Sequence, residues 1–123
     1  MVRQRPPWHT NPGKRQVKAA IVFARERARY MPHHFWATHT GAELDLLLMK
    51  GSRRYGVEVK FQDAPRVTLS MRIALADLRL RHLTVLYPGD ERYPLDPYIT
   101  VVPLADLASD PGVVMPPTRG RRP

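Results

Sequence analysis

The stretch from Gly41 to Phe61, GAELDLLLMKGSRRYGVEVKF, contains two short runs in which apolar and polar side chains alternate. A period of two over runs this short predicts β-strands, because successive side chains of a strand point to opposite faces of a sheet. The Gly51-Ser52 pair between the runs fits a two-residue loop, since glycine readily adopts the positive φ that a type II′ turn needs. The stretch therefore predicts an antiparallel hairpin.

The position of this turn determines the register of the hairpin. The expected cross-strand pairs are Lys50–Arg53, Leu48–Tyr55, Leu46–Val57 and Leu44–Val59. On the other face, Asp45 is expected directly opposite Glu58, where two like charges destabilise the pair. Two groups could offset that charge. One is a divalent cation, since Mg²⁺ prefers oxygen ligands; the other is the ammonium of Lys60, one pleat away.

Composition limits the class of protein. A length of 123 residues is enough for one domain with one core. The absence of cysteine excludes a disulfide framework and a thiolate metal site. No apolar run approaches the length of a membrane span, and no signal-peptide pattern is present. We therefore expect a cytoplasmic protein that does not bind a membrane.

The net charge of +9 is unevenly distributed along the chain. Residues 1–40 hold eight Lys/Arg and one acid, residues 41–115 hold nine Lys/Arg and ten acids, and residues 116–123 hold three arginines. Basic ends of this kind can bind phosphate groups without sequence preference. Solubilising tails and a solvated helix face are the plainer alternative. By either interpretation, the excess positive charge lies outside the hairpin region.

The segments before the hairpin predict a disordered lead, one helix and one strand. Residues 1–13 are rich in proline and show no periodicity, and an amphipathic helix is expected from Lys14 to Met31, where Pro32 ends it. The segment HHFWATHT at 33–40 favours a short strand. Its histidines match no zinc-binding spacing, although His39 is a candidate auxiliary polar group beside the hairpin.

The segments after the hairpin complete a mixed α/β pattern. The expected elements are a helix from a Thr68 or Ser70 cap to about Leu80, a strand at His82–Tyr87, a proline-rich loop at Tyr93–Tyr98, a strand at Ile99–Val102 and a helical turn at Leu104–Ala108. A helix between two strands predicts that these strands are parallel. We therefore expect one α/β domain at residues 14–110, with a mixed sheet, flanking helices and a disordered basic tail at 111–123.

The combination of Asp45, a hairpin and Glu58-Val59-Lys60 resembles the D…(D/E)xK motif of the restriction-endonuclease-like, or PD-(D/E)XK, nuclease superfamily. The element order also resembles the αβββαβ core of that superfamily. More narrowly, the segments FWATHTGAELDLLL, EVKFQDAPRV, SMRIALADLRL and ITVVPLADL resemble an uncharacterised domain at the C-terminus of many bacterial and archaeal AAA-type ATPases. This similarity covers about Phe35 to Leu107.

The resemblance implies a restriction-endonuclease-like fold and metal-dependent hydrolysis of DNA. It implies that Asp45, Glu58 and the main-chain carbonyl of Val59 hold Mg²⁺, and that Lys60 orients or activates the attacking water. It also implies an AAA-type ATPase as a partner. Because no ATPase motif precedes the domain in this sequence, we expect a truncated or frame-altered remnant of a longer gene.

Two alternatives remain open at this point. The superfamily often carries a further metal-binding glutamate on its first helix, but the segment Lys14–Lys18 has no acid, and Glu26 lies farther along. The chain is then a non-catalytic protein- or DNA-interaction domain, in which Glu58 and Lys60 form a structural ion pair. The other alternative is an unstable fragment, since a core of about 70 residues is only marginally stable.

Overall fold

The computed structural model describes residue 19 and residues 21–26, 36–38 and 44–117. Helix α1 includes residues 21–26. The elements that follow are β1 (Trp36–Thr38), β2 (Leu46–Lys50), β3 (Arg53–Val59), α2 (Leu69–Asp77), β4 (His82–Tyr87), β5 (Tyr93–Asp96), β6 (Ile99–Pro103), α3 (Asp106–Ser109) and a 3₁₀ helix (Pro111–Val114). The expected order of helix, three strands, helix and strand is therefore present.

The six strands form one mixed sheet in the order β1-β2-β3-β4-β6-β5. The first three strands pair antiparallel, whereas β3, β4 and β6 are mutually parallel. Helix α2 carries the chain from the end of β3 back to the start of β4, which is the connection that parallel neighbours require. The predicted α/β class, with a mixed sheet and flanking helices, is confirmed.

The turn of the β2–β3 hairpin lies where the sequence predicts it. The cross-strand pairs include Lys50–Arg53, Leu48–Tyr55 and Leu46–Val57. Gly51 has a φ of 62°, whereas Ser52 does not have a positive φ, which fits a type II′ turn rather than type I′. The ladder ends at Leu46, however, so the expected pairs Leu44–Val59 and Asp45–Glu58 do not form as ladder pairs.

Apolar clusters cover both faces of the sheet. On one face, α1, α3 and the 3₁₀ helix pack on β2, β3, β4 and β6 through residues that include Ile21, Ala24, Leu107 and Val114. On the other face, Met71 and Ala74 of α2 pack on β4 and β6. Leu44 was expected beside Leu46 but belongs to the α2 cluster, because the chain bends at Asp45 before β2 begins.

Helix α2 has a defined cap at each end. The side chain of Thr68 accepts a hydrogen bond from the first turn, as the sequence predicts. At the other end, the N–H of Leu80 donates to the carbonyl of Leu75 at 3.0 Å across Arg79, which has a φ of 54°. This is a Schellman motif, and it ends the helix at Asp77 rather than near Leu80.

The predicted loop at Tyr93–Tyr98 is wrong. Residues Tyr93–Asp96 form strand β5, which pairs antiparallel with β6. Pro94 is compatible with this strand because β5 lies at the edge of the sheet, where a missing backbone donor is tolerated. The register with β6 shifts between Pro94 and Asp96.

Residues just beyond the predicted domain boundary at residue 110 also pack on the sheet. Pro111–Val114 forms a 3₁₀ helix, and Val114 is buried in the cluster that α1 and α3 cover. The predicted lead at 1–13, the three histidines at 33–39 and the tail beyond residue 117 lie outside the described residues. Among the residues that the structure describes, no helix combines the length and apolar character needed to cross a bilayer.

Candidate functional site

Glu58 lies near the carboxyl end of β3, in the interior of the sheet order. It is only 7% exposed. Its Oε2 is 3.1 Å from the Nζ of Lys60, whereas its Oε1 is buried and has no hydrogen-bond partner among the residues that the structure describes. A buried polar atom without a partner is costly, roughly 1–3 kcal/mol and more for a charged group. One oxygen of this carboxylate is therefore paired, and the hydrogen-bonding capacity of the other is not satisfied by the described residues.

Asp45 extends the hairpin beyond its last ladder pair. Its Oδ2 accepts a hydrogen bond from the backbone N–H of Val59 at 2.8 Å. The carboxylate thus replaces the carbonyl that the missing strand residue would have supplied. In an extended residue the N–H and C=O point to the same side of the strand, so the carbonyl of Val59 is also directed toward the side of Asp45.

The charges of this group interact. Burial raises the pKa of the Glu58 carboxyl above its ordinary value, and the negative charge of Asp45 raises it further, while Lys60 opposes both effects through a hydrogen bond and its positive charge. The Lys60 side chain is 32% exposed, so its ammonium is accessible from solvent. The bend at Asp45 and the end of β3 therefore bring two carboxylates and one ammonium together.

Three oxygen groups of this cluster could hold a hard cation: the carboxylates of Asp45 and Glu58 and the carbonyl of Val59. Mg²⁺ is commonly held by one or two carboxylates and keeps several waters. Within the described ranges, no group of three or more His, Cys, Asp or Glu side chains is placed to hold a metal ion. Glu26, the first-helix candidate, is exposed on α1, which covers the face of the sheet opposite the α2 cluster.

A second polar group lies at the start of β4, at the opposite edge of the sheet from Glu58. It was not identified from the sequence. His82 Nε2 and Thr100 Oγ1 are 2.8 Å apart, and the buried Oγ1 of Thr84 has no hydrogen-bond partner within the described part of the chain. Burial lowers the pKa of His82, against an opposing effect of Asp96. The only sequence signal was the i, i+2 spacing of His82 and Thr84, since the pairing with Thr100 depends on the order of the strands.

The open depression lined by Lys50, Gly51, Ser52 and Arg53 lies at the hairpin turn. This is the end of β3 opposite Glu58, so the depression is separate from the carboxylate cluster. The cluster itself is a small polar site at the carboxyl end of a central strand, which is where ligands bind in open α/β sheets.

Comparison with known proteins places this geometry in a family. Residues 17–107 match the family model described as a domain of unknown function, DUF4143. An uncharacterised protein of Mycobacterium bovis and one of Mycobacterium tuberculosis are each 31% identical to this chain over an alignment 139 positions long. Each alignment covers 84% of this chain and 32% of the relative, so the chain spans about a third of the length of these curated relatives. No solved structure matches the chain.

Proposed function

This chain belongs to the DUF4143 family, and we propose that it is a nuclease-like domain of the PD-(D/E)XK type, which hydrolyses DNA phosphodiester bonds with the help of Mg²⁺. One observation carries the proposal. Glu58 has a buried oxygen that no described residue pairs with, it is close enough to Asp45 for the two charges to interact, and Lys60 lies beside it. Burial of two neighbouring acids costs free energy of folding, even with an ammonium beside them. The same arrangement of oxygen atoms can bind a divalent metal ion.

The residues present fit a magnesium ion. Asp45, Glu58 and the main-chain carbonyl of Val59 would hold it. The ion would supply neutralisation of charge on the phosphodiester and a lowered pKa for a bound water. The hydrogen bond from the Val59 N–H to Asp45 fixes one carboxylate against the end of β3, so the protein orients this ligand before the ion arrives.

Lys60 has the position required of a group that assists the attacking water. Its Nζ lies 3.1 Å from Glu58 Oε2, and its side chain is partly exposed, so it can contact both the site and the solvent. An ammonium there donates hydrogen bonds to the water and stabilises negative charge that develops on the phosphate. Glu58 in turn holds Lys60 in place through their ion pair.

The test is cleavage of supercoiled plasmid DNA with Mg²⁺ or Mn²⁺ by the full chain. Asp45→Asn keeps an acceptor for the Val59 N–H, and Glu58→Gln keeps the shape of the side chain, so both should fold. Each of these changes and Lys60→Met should lower the cutting rate about 100-fold or more. Asp77→Asn, which removes an exposed acid at the end of α2, serves as the control. Absence of metal-dependent cutting, or cutting that survives all three changes, would defeat the proposal.

The alternative is a non-catalytic interaction domain that keeps the same fold. It is favoured by the fact that Asp45 and one oxygen of Glu58 already have protein partners. Calorimetric titration with Mn²⁺ separates the two proposals. A binding isotherm that is lost in Asp45→Asn and kept in Asp77→Asn supports the metal site, whereas identical flat traces for all three proteins support the interaction domain.

We also propose that the domain acts beside an AAA-type ATPase. The resemblance implies this arrangement, and about two thirds of each mycobacterial relative lies outside the match, which leaves room for such a module. A purified full-length mycobacterial relative should hydrolyse ATP. A change in its rate of ATP hydrolysis when DNA is added would connect the ATPase to DNA binding or cleavage. A relative that binds no ATP would count against the association.

A further inference from the structure

Two pairs of arginines from separate parts of the sequence lie near the turn end of the β2–β3 hairpin. We call Arg53, Arg54, Arg79 and Arg81 the basic end. The Nη1 of Arg54 donates to the carbonyl of Leu78 at 3.3 Å, next to Arg79. The backbone N–H of Arg81 donates to the carbonyl of Arg54 at 2.6 Å. The start of β3, the end of α2 and the start of β4 are thus joined by direct contacts.

The positive charge of the basic end is not neutralised within the part of the chain that the structure describes. None of its four arginines forms an ion pair there, whereas Lys60, Arg72 and Arg92 each do. Arg53, Arg54 and Arg79 are exposed, and Arg81 is half-buried. The nearest acid along the chain, Asp77, pairs with none of them. Like charges held together on a rigid scaffold attract a polyanion.

Arg79 gives a second, independent indication. It occupies the position after the α2 C-cap, with a φ of 54°, and it is the only non-glycine residue with positive φ among the described residues. Glycine is the usual residue at this position of a Schellman motif, because a side chain there is disfavoured. The chain therefore carries a cation where glycine would give greater stability.

We propose that the basic end binds the phosphate backbone of a nucleic acid. Guanidinium groups match phosphate oxygens in pairs. Neighbouring strands lie about 4.8 Å apart, so the start of β3 and the residue before β4 present cations over about 5 Å, the axial length of one to two phosphates on one strand. A membrane surface fits less well, since the exposed large apolar side chains of the described residues, Val22, Leu69, Ile73 and Tyr98, are not part of the basic end.

The basic end is distinct from the carboxylate cluster. The two lie at opposite ends of β3, where the five residue steps from Arg53 to Glu58 span about 17 Å at the rise of a strand, which corresponds to about five base pairs of duplex. The choice of nucleic acid over another polyanion rests in part on the proposed function. Binding is therefore measured without metal, so that loss of cleavage and loss of binding are separate results.

The experiment uses the full chain, a fluorescein-labelled 20-base-pair DNA duplex, EDTA, and KCl from 50 to 200 mM. Arg53→Gln and Arg79→Gly should each weaken binding about 8-fold at 0.1 M salt and make the slope of log K against log[salt] shallower by about 0.9, the effect of one lost phosphate contact. Arg79→Gly should also raise Tm. If Arg79 only ends the helix, Arg79→Gly will change Tm and leave the affinity for the duplex unaltered.

Two controls accompany these variants. Arg72→Gln removes the same charge from an exposed arginine that is paired with Asp96 at 3.1 Å, and it should bind within twofold of the wild type. Asp77→Asn, the control of the cleavage test, removes an exposed acid beside the basic end and should not weaken binding in EDTA. The proposal is overturned if the wild type does not bind the duplex at 50 mM salt, if Arg53→Gln and Arg79→Gly bind as the wild type does, or if vesicles containing phosphatidylserine bind while the duplex does not.

Discussion

Replacement of Gly56 by alanine should destabilise the domain, because no space exists for the added methyl group. Gly56 lies in β3 two residues before Glu58, on the face that α2 covers. A Cβ atom there would stand 2.6 Å from Leu80 Cδ1, 2.9 Å from Leu83 Cδ1 and 3.0 Å from Leu44 Cδ1. Ordinary carbon contacts are about 3.5–4.0 Å, so three buried side chains must each move by about 0.5–1 Å.

The magnitude follows from this crowding. Extra methylene groups in a packed core cost about 1–3 kcal/mol. All three leucines are buried, and Leu83 is completely inaccessible. A cost near 1 kcal/mol is therefore expected only if the three side chains can shift together to make room for the methyl group. Tm should fall by roughly 4 °C for each kcal/mol in a domain of this size. Since Leu44 precedes Asp45 directly, Mn²⁺ binding by the variant should also weaken.

Urea unfolding followed by circular dichroism measures the effect. Gly112→Ala is the matched control, because a Cβ at Gly112 meets only Asp110 Oδ1, at 3.9 Å, and should change the free energy of unfolding by less than about 0.5 kcal/mol. If Gly56→Ala is no less stable than Gly112→Ala, then the packing of Leu44 and Leu80 over β3 is not as described, and the position of Asp45 loses its support.

Three further predictions concern single side chains. Thr68→Ala removes the N-cap of α2 and should lower the free energy of unfolding by about 1 kcal/mol, measured in urea. Thr84→Val replaces a buried hydroxyl that has no partner, so it should raise that free energy by about 1 kcal/mol; a decrease would show that the hydroxyl is bonded in solution. Burial lowers the pKa of His82 in the folded protein, against an opposing effect of Asp96. As the pH falls, the histidine of the unfolded chain is therefore protonated before that of the folded chain. Its contribution to stability should be complete above pH 6.5, the ordinary value for histidine, and should be lost as the pH falls below it. In urea titrations from pH 7.5 to 5, His82→Gln should reduce this loss, and an unchanged pH dependence would contradict the assignment.

Local pattern was sufficient for much of the sheet. The Gly51-Ser52 turn fixed the hairpin register, because loop length sets which residues stand opposite one another. The bounds of β4 were also predictable, since a short β-branched and apolar run is typical of a strand that is buried on both faces. The ion pair of Glu58 and Lys60 follows from their spacing of two residues along one strand.

Other features could not be read locally. The proline in β5 suggested a loop, and only its place at the edge of the sheet makes that strand possible. The alternation of apolar residues places Leu44 on the same face of the sheet as Leu46 and Leu48. In the structure Leu44 packs beside Leu80 on the opposite face, which α2 covers. The sequence of the 3₁₀ helix is short and has no apolar period, so it predicts a tail. In the structure Val114 is nevertheless buried in the core.

The sequence by itself determined the strands other than β5, the hairpin turn and the residue types of the carboxylate cluster, because these depend on neighbours a few positions apart. The tertiary structure alone decided that Glu58 is left with an unpartnered oxygen and that Asp45 binds the backbone of Val59. It also decided that the near-neutral segment 41–115 carries a concentrated basic end, because arginines from β3, the end of α2 and the residue before β4 meet only when the sheet forms. Charge and burial at a point in space depend on every element that passes it, and no window of the sequence contains that information.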